Sequence, residues 1–122
     1  RLGALGQSIW MDFIRRGMIS SGELQQLIAE EGVSGVTSNP SIFERAIAES
    51  HDYDESIGVL TTKGKTSEEI YQWLTVKDVQ NVADLLRPTF DRTDGEDGFV
   101  SLKVLPNLAY DTNGTIEEAH RL

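Results

Sequence analysis

The sequence predicts an α/β fold built from parallel βαβ units, and three observations carry that reading. Short stretches rich in β-branched and aromatic residues, at 8–14, 32–38 and 99–105, alternate with longer segments of helical periodicity. The strand candidates are apolar on both faces, as parallel strands sandwiched between other layers are. With 122 residues the chain can build one small domain with a real core. Three strands cannot close a barrel, which takes about eight, so they belong either to a barrel or to an open doubly wound sheet, seen in part.

The first strand reads from "SIWMDFI" (8–14). Ser20 and Glu23 have the spacing of a capping box, and Leu24, Leu27 and Ile28 then share a helical face until Gly32 stops the pattern. "GVSGVTS" (32–38) is too short and glycine-rich for a helix and reads as the second strand, with Pro40 suited to the first turn of the helix that follows. Tyr53, Ile57 and Leu60 mark another helix, punctuated by Gly64. Thr66 and Glu69 repeat the capping-box spacing ahead of "IYQWL". Thr75 is read as the cap of a separate helix over Val76, Val79, Val82, Ala83 and Leu86, which Pro88 should kink or end. "DRTDGEDG" (91–98) is a turn cluster, "FVSLKVL" (99–105) the third strand, and Thr115 with Glu118 a third capping box opening the last helix.

Composition narrows the function classes. At 39% hydrophobic and 25% charged, the chain is ordinary globular material, and no apolar run approaches the roughly 20 residues of a membrane span. No secretory signal is visible at the start, so the cytoplasm is the expected compartment. There is no cysteine, which excludes disulfides, thiol catalysis and thiolate zinc sites. The two histidines, His51 and His120, lack a second ligand-type residue at helical spacing, so no metal is expected. A formal charge of -9 without a basic stripe argues against nucleic acid. The chain opens on Arg1 and stops at Leu122 inside an amphipathic pattern, and so reads as a piece of something longer.

The chemistry-bearing residues cluster at strand ends. Asp12 lies toward the end of strand one; Thr37 and Asn39 point to one side at the carboxyl end of strand two; Ser101 and Lys103 share a face of strand three. Carboxyl ends of parallel strands are where α/β folds keep their ligands. Each residue also has a plainer reading. Asp12 can pair with Arg15 or Arg16. Thr37, Ser38 and Asn39 ahead of Pro40 make a good helix N-cap, and Ser101 can be a tolerated small residue. Lys103, between Leu102 and Val104, either snorkels out at an open edge or is a desolvated amine of the kind Schiff-base catalysis uses.

Taken together, "LGQSIWMDFIRRGMISSGELQQLIAEEGVSGVTSNPSIFERAI", "DYD", "EEIYQ", "VQNVADLLRPTFDRTDGEDGFVSLKV" and "AYDTNGTIEEAHRL" resemble the amino-terminal part of bacterial transaldolases, in the form sometimes fused to glucose-6-phosphate isomerase. "GVTSNPSIF" is the most specific element. The resemblance implies a partial (β/α)8 TIM barrel: residues 1–122 as the amino-terminal portion of one barrel domain, about three βα units with a helical insertion between strands two and three. It implies a cofactor-free, metal-free enzyme of the pentose phosphate pathway acting on sugar phosphates. Such an enzyme moves a dihydroxyacetone unit between sedoheptulose 7-phosphate/glyceraldehyde 3-phosphate and erythrose 4-phosphate/fructose 6-phosphate through a lysine imine.

By the same resemblance, Asp12 matches the family's strand-one aspartate, which exchanges a proton with a substrate hydroxyl during carbon–carbon cleavage. Thr37 and Asn39, with Ser38 between them, match the strand-two motif that binds the ketose. The Schiff-base lysine belongs to strand four, beyond Leu122. Lys103 stands where the family has a glutamate working with the catalytic water, "SLKVLP" in place of a segment like "SLEVSP". That substitution keeps two further readings open: a non-catalytic transaldolase-like packing or interaction module, and Lys103 itself as the nucleophile. Three strands with unpaired edges also predict self-association of the chain made alone.

Overall fold

The computed structural model of the protein describes residues 2–122. Three parallel strands, β1 (Ile9–Met11), β2 (Val33–Thr37) and β3 (Phe99–Ser101), form one sheet in the order β1-β2-β3. Two helices, α1 (Arg16–Ser20) and α2 (Glu23–Glu30), join β1 to β2. Three more, α3 (Pro40–Glu49), α4 (Asp54–Thr62) and α5 (Ser67–Arg92), join β2 to β3, and α6 (Thr112–Arg121) follows β3. This is the alternating α/β arrangement that the sequence predicts, including the helical insertion after the second strand.

Register and alternation divide the sheet into two unlike faces. Trp10 lies beside Gly35, which lies beside Phe99, so these three share a face, and Thr37 and Ser101 follow two residues on. Trp10 and Phe99 remain 42% and 45% exposed, which marks this face as the one the helices leave open. Gly35 is required there, because a Cβ at this position would stand 2.3 Å from the Trp10 ring. The opposite face is covered: Val36 is fully buried, with Ile9, Met11 and Val100 packed against the same core. Leu74, Val82 and Leu86 of α5 enter that core, and Phe43 of α3 packs on the rings of Tyr53 and Tyr71 at centroid distances of 6.0 and 6.1 Å. Burying side chains of this size, at about 1.5–3 kcal/mol each, is what fixes the helices to the sheet.

Several local expectations are corrected. α2 starts after Gly22, whose φ of 82° ends α1, and Ser21 Oγ rather than Ser20 accepts the Glu23 N–H at 3.3 Å. Thr75 caps nothing. It is buried inside α5, which runs unbroken for 26 residues, and its Oγ1 donates to the Tyr71 carbonyl at 2.8 Å. Leu74, Val82 and Leu86 bury one continuous stripe, so tertiary packing overrides the capping signal. α5 also continues four residues past Pro88: both Pro88 and Asp84 are exposed, so the carbonyl that proline leaves unbonded has solvent as its partner. β3 ends at Ser101, short of the strand expected to 105. α6 is capped by Asp111, which accepts from Gly114 N at 2.9 Å, while Thr115 Oγ1 turns back to the Asp111 and Leu108 carbonyls. The Thr66–Glu69 capping box forms as read, in both directions, at 3.2 and 2.8 Å.

Candidate active site

β2 ends at Thr37, and the next two side chains divide its surroundings. Ser38 turns toward the core, 3% exposed, while Thr37 and Asn39 stay on the open face. Asn39 then serves two purposes that the sequence offers as alternatives. Its Oδ1 accepts the Ile42 N–H at 3.5 Å as the N-cap of α3, with Pro40 at the first helical position, and its Nδ2 reaches Asp12 Oδ2 at 3.5 Å. Thr37 Oγ1 donates to Asp12 Oδ1. Lys103 Nζ stands 3.5 Å from the same oxygen.

Asp12, Thr37, Asn39 and Lys103 therefore meet at the carboxyl ends of the three strands, on the face without helices. The hydrogen bond from Thr37, then that from Asn39, hold the Asp12 carboxyl below its ordinary range; the positive charge of Lys103 adds to them, and partial burial opposes. All three partners favour the carboxylate form.

The plainer readings separate here. Neither arginine takes Asp12: Arg15 Nε pairs with Asp52 at 3.0 Å and Arg16 Nε with Asp78 at 2.8 Å. Ser38 does not join the cluster. Its N–H donates to the Ser101 carbonyl at 2.9 Å and its Oγ accepts the Lys103 N–H at 3.1 Å, so a side chain prolongs the β2–β3 ladder where β3 has ended. Ser101 contributes that carbonyl. The Lys103 side chain is 46% exposed and ion-paired, which is not the apolar setting of a desolvated amine.

Sequence reasoning missed a second constellation, buried where α1, the start of α4 and α5 meet. Asp78 is fully buried; its Oδ1 accepts from Arg16 Nε and its Oδ2 from the Tyr53 hydroxyl at 2.7 Å. Tyr53 Oη in turn accepts the Arg16 backbone N–H at 2.9 Å, and Arg16 Nη1 donates to Ser56 Oγ at 2.8 Å. Burial pushes the Asp78 carboxyl up, against the hydrogen bonds from Tyr53 and Arg16 that pull it down; burial and the neighbouring carboxylate push the Tyr53 phenol up. The signal was available: Asp78 sits at four-residue spacing between Leu74 and Val82, a charge in the middle of an apolar stripe.

A cleft of about 580 Å³ is lined by Phe13, Arg15, Ile42, Arg45 and Ala46 among others, and by none of the four convergent residues. Arg15 and Arg45 are engaged there by Asp52 and Glu49. The convergent polar groups, rather than this cleft, mark the candidate site. Among the described residues, no three His, Cys, Asp or Glu side chains gather as a metal site, and no helix is long and apolar enough to cross a membrane.

A carboxylate, a hydroxyl, an amide and an amine thus gather at the carboxyl ends of the parallel strands of an α/β protein, where such folds place their ligands. The chain belongs to the transaldolase/fructose-6-phosphate aldolase family, whose sequence pattern matches residues 9–122. It is 49% identical over 118 residues to a transaldolase of Thiobacillus denitrificans, covering 97% of this chain and 33% of that protein. It is 46% identical over 122 residues to transaldolase 2 of Streptomyces avermitilis, covering 100% of this chain and 33% of the relative. With a transaldolase of Trichodesmium erythraeum the identity is 46% over 117 residues, 96% of this chain and 31% of the relative. The chain thus spans about a third of the length of these curated relatives.

Proposed function

We propose that this chain is the opening part of a single (β/α)8 transaldolase domain in the cytoplasm. The complete polypeptide transfers a dihydroxyacetone unit between ketose and aldose phosphates through a lysine imine, with that lysine supplied outside these residues. The observation that carries the reading is the contact of Asp12 with both Thr37 and Asn39 in a chain of this family. In this scheme Asp12 exchanges a proton with the substrate hydroxyl as the carbon–carbon bond breaks and forms, which is general acid–base work at a strand end. Thr37 and Asn39 orient Asp12 and offer hydrogen-bonding groups to the ketose hydroxyls. Ser38 supports Lys103 from behind and does not touch substrate.

The test is turnover of fructose 6-phosphate with erythrose 4-phosphate by the complete polypeptide, joined to borohydride trapping and peptide mapping. Turnover with an adduct on a lysine outside residues 1–122 supports the reading; an intact, folded polypeptide without turnover removes it. The Lys103–Asp12 ion pair favours a second reading, a transaldolase-like module that packs or binds without catalysis. Loss of turnover in the wild type, regained in Lys103→Glu, would instead mark an enzyme suppressed by one charge.

A further inference from the structure

We infer that the buried Arg16–Tyr53–Asp78 network, with Asp52 beside it, is the positioning device for Asp12: it anchors the segment after β1 to the helical insertion. This inference rests on the reading of Asp12 as the acid–base group. Asp12 needs such a device because its own element gives it little support. β1 has three residues at the edge of the sheet, and α1 has five, far too few to be stable alone. Its N-cap residue, Arg15, supplies no side-chain cap. The first N–H groups of α1 are instead satisfied from α4's leading edge. Arg16 N–H goes to Tyr53 Oη, and Gly17 N–H goes to Asp52 Oδ2 at 3.1 Å. Only glycine permits the second contact, since a Cβ on Gly17 would lie 2.6 Å from that same oxygen.

The Arg16 side chain then continues inward to Asp78 of α5, with its guanidinium 4.6 Å from the Tyr53 ring centroid. Arg16 is four residues from Asp12, and Ile14 between them is 2% exposed. Backbone and side-chain hydrogen bonds together hold one end of this five-residue stretch while β1 holds the other. The groups facing Asp12 are Thr37 and Asn39 from the end of β2 and Lys103 from beyond β3; the two arginines that follow it are turned away to Asp52 and Asp78. A shift of the anchored end moves Asp12 relative to all three partners at once. Displacements of about 1 Å at a reacting group cost on the order of a hundredfold in rate.

The experiment compares wild type, Asp78→Asn and Tyr53→Phe in the complete polypeptide. It reads kcat and KM per folded molecule and follows the Asp12 carboxyl by 13C NMR as pH is lowered. Positioning predicts a kcat loss of about 10–100-fold in Asp78→Asn with KM little changed. It also predicts an upward move of the Asp12 titration toward the ordinary carboxylate range, as its contacts with Thr37 and Asn39 loosen. Tyr53→Phe keeps the Arg16–Asp78 pair but removes the oxygen from the Arg16 N–H, so it shifts both readouts in the same direction and decides the matter if Asp78→Asn does not fold. Lower stability with an unmoved Asp12 titration and unchanged kcat per folded molecule overturns the inference. A wild type that never turns over removes the proposed activity alone, since the Asp12 titration is read without substrate.

Discussion

Replacing Asp78 by asparagine tests whether the buried network holds the fold as well as the site. Asparagine keeps the shape but offers one acceptor oxygen where Asp78 now serves two donors, Arg16 Nε at 2.8 Å and Tyr53 Oη at 2.7 Å. The amide NH2 must face one of those donors. One charge-assisted hydrogen bond is lost, worth about 1.5–3 kcal/mol, and Arg16 is left without its counter-ion. Breaking a buried pair from one side costs about 3–5 kcal/mol; because the Arg16 side chain keeps 18% of its exposure, the expected loss is at the lower end, about 3 kcal/mol. Removing both charges is a different perturbation. Arg16→Met with Asp78→Leu leaves no orphaned charge and should lie within about 1 kcal/mol of wild type. Urea unfolding of the complete polypeptide reads the difference: Asp78→Asn lowers the midpoint with the slope unchanged, by about 3 kcal/mol divided by that slope. A single variant within about 0.5 kcal/mol of wild type, or a double variant as damaged as the single, would refute the reasoning.

Other substitutions separate the roles of the site residues. Lys103→Glu should raise turnover of the complete polypeptide by about tenfold or more, given the usual weight of a correctly charged acid–base group; unchanged turnover would show that residue 103 is remote from the chemistry. Asn39→Ser keeps an N-cap oxygen for α3 and should cost under about 0.5 kcal/mol of stability, while loss of the Asp12 contact lowers kcat; equal losses in both would tie Asn39 to structure only. The hydrogen bond and charge of Arg15, with the Gly17 N–H, hold the Asp52 carboxyl below its ordinary range. A depressed folded-state value means that this stabilisation is complete above the unfolded carboxylate range, about 4, and disappears as pH falls through the lower folded value. Asp52→Asn should therefore flatten that part of the acid limb in a urea series against pH, and an unchanged limb would contradict it. The 122-residue chain made alone should associate through the face carrying Trp10 and Phe99; a sharp monomeric unfolding transition at increasing concentration would exclude this.

What the sequence made legible follows how local each signal is. The strand–helix alternation and the open site face come from two-residue and four-residue periods, which any stretch of ten residues displays. Asp12, Thr37, Asn39 and Lys103 were readable as one group because parallel strands put their carboxyl ends at one mouth. The boundaries were less legible. Thr75 and Thr115 carry genuine capping spacing, yet burial of Leu74, Val82 and Leu86 runs α5 through the first, and Asp111, four residues earlier, outcompetes the second. The sequence groups Ser38 with its neighbours, but alternation turns it inward, where its Oγ meets an N–H 65 residues away. The same holds for Arg16, Tyr53 and Asp78, whose partners lie 25 to 62 residues apart and on different elements. No period within one element encodes such a pairing; only the lone carboxylate on an apolar stripe announces that it needs a partner.

Lys103 acts on the site through charge and through where its backbone is tied. Its N–H is held by the buried Ser38 Oγ, which ties its backbone against the end of β2, two residues beyond Ser101, the strand partner of Thr37. A carboxylate that relays a proton must gain it in one half of a transfer and release it in the other, and it does both well only when neither form is strongly favoured. Thr37 and Asn39 already favour the ionised form of Asp12, and Lys103 adds a third push in the same direction. With all three in place Asp12 accepts a proton reluctantly and gives it up easily. A carboxylate at position 103 would push the other way by like-charge repulsion, raising Asp12 toward the pH at which both steps proceed. On the proposed reaction, the identity of residue 103 would set the balance between its two halves, and Lys103→Glu should then move the acid limb of the pH profile upward as well as raise its height.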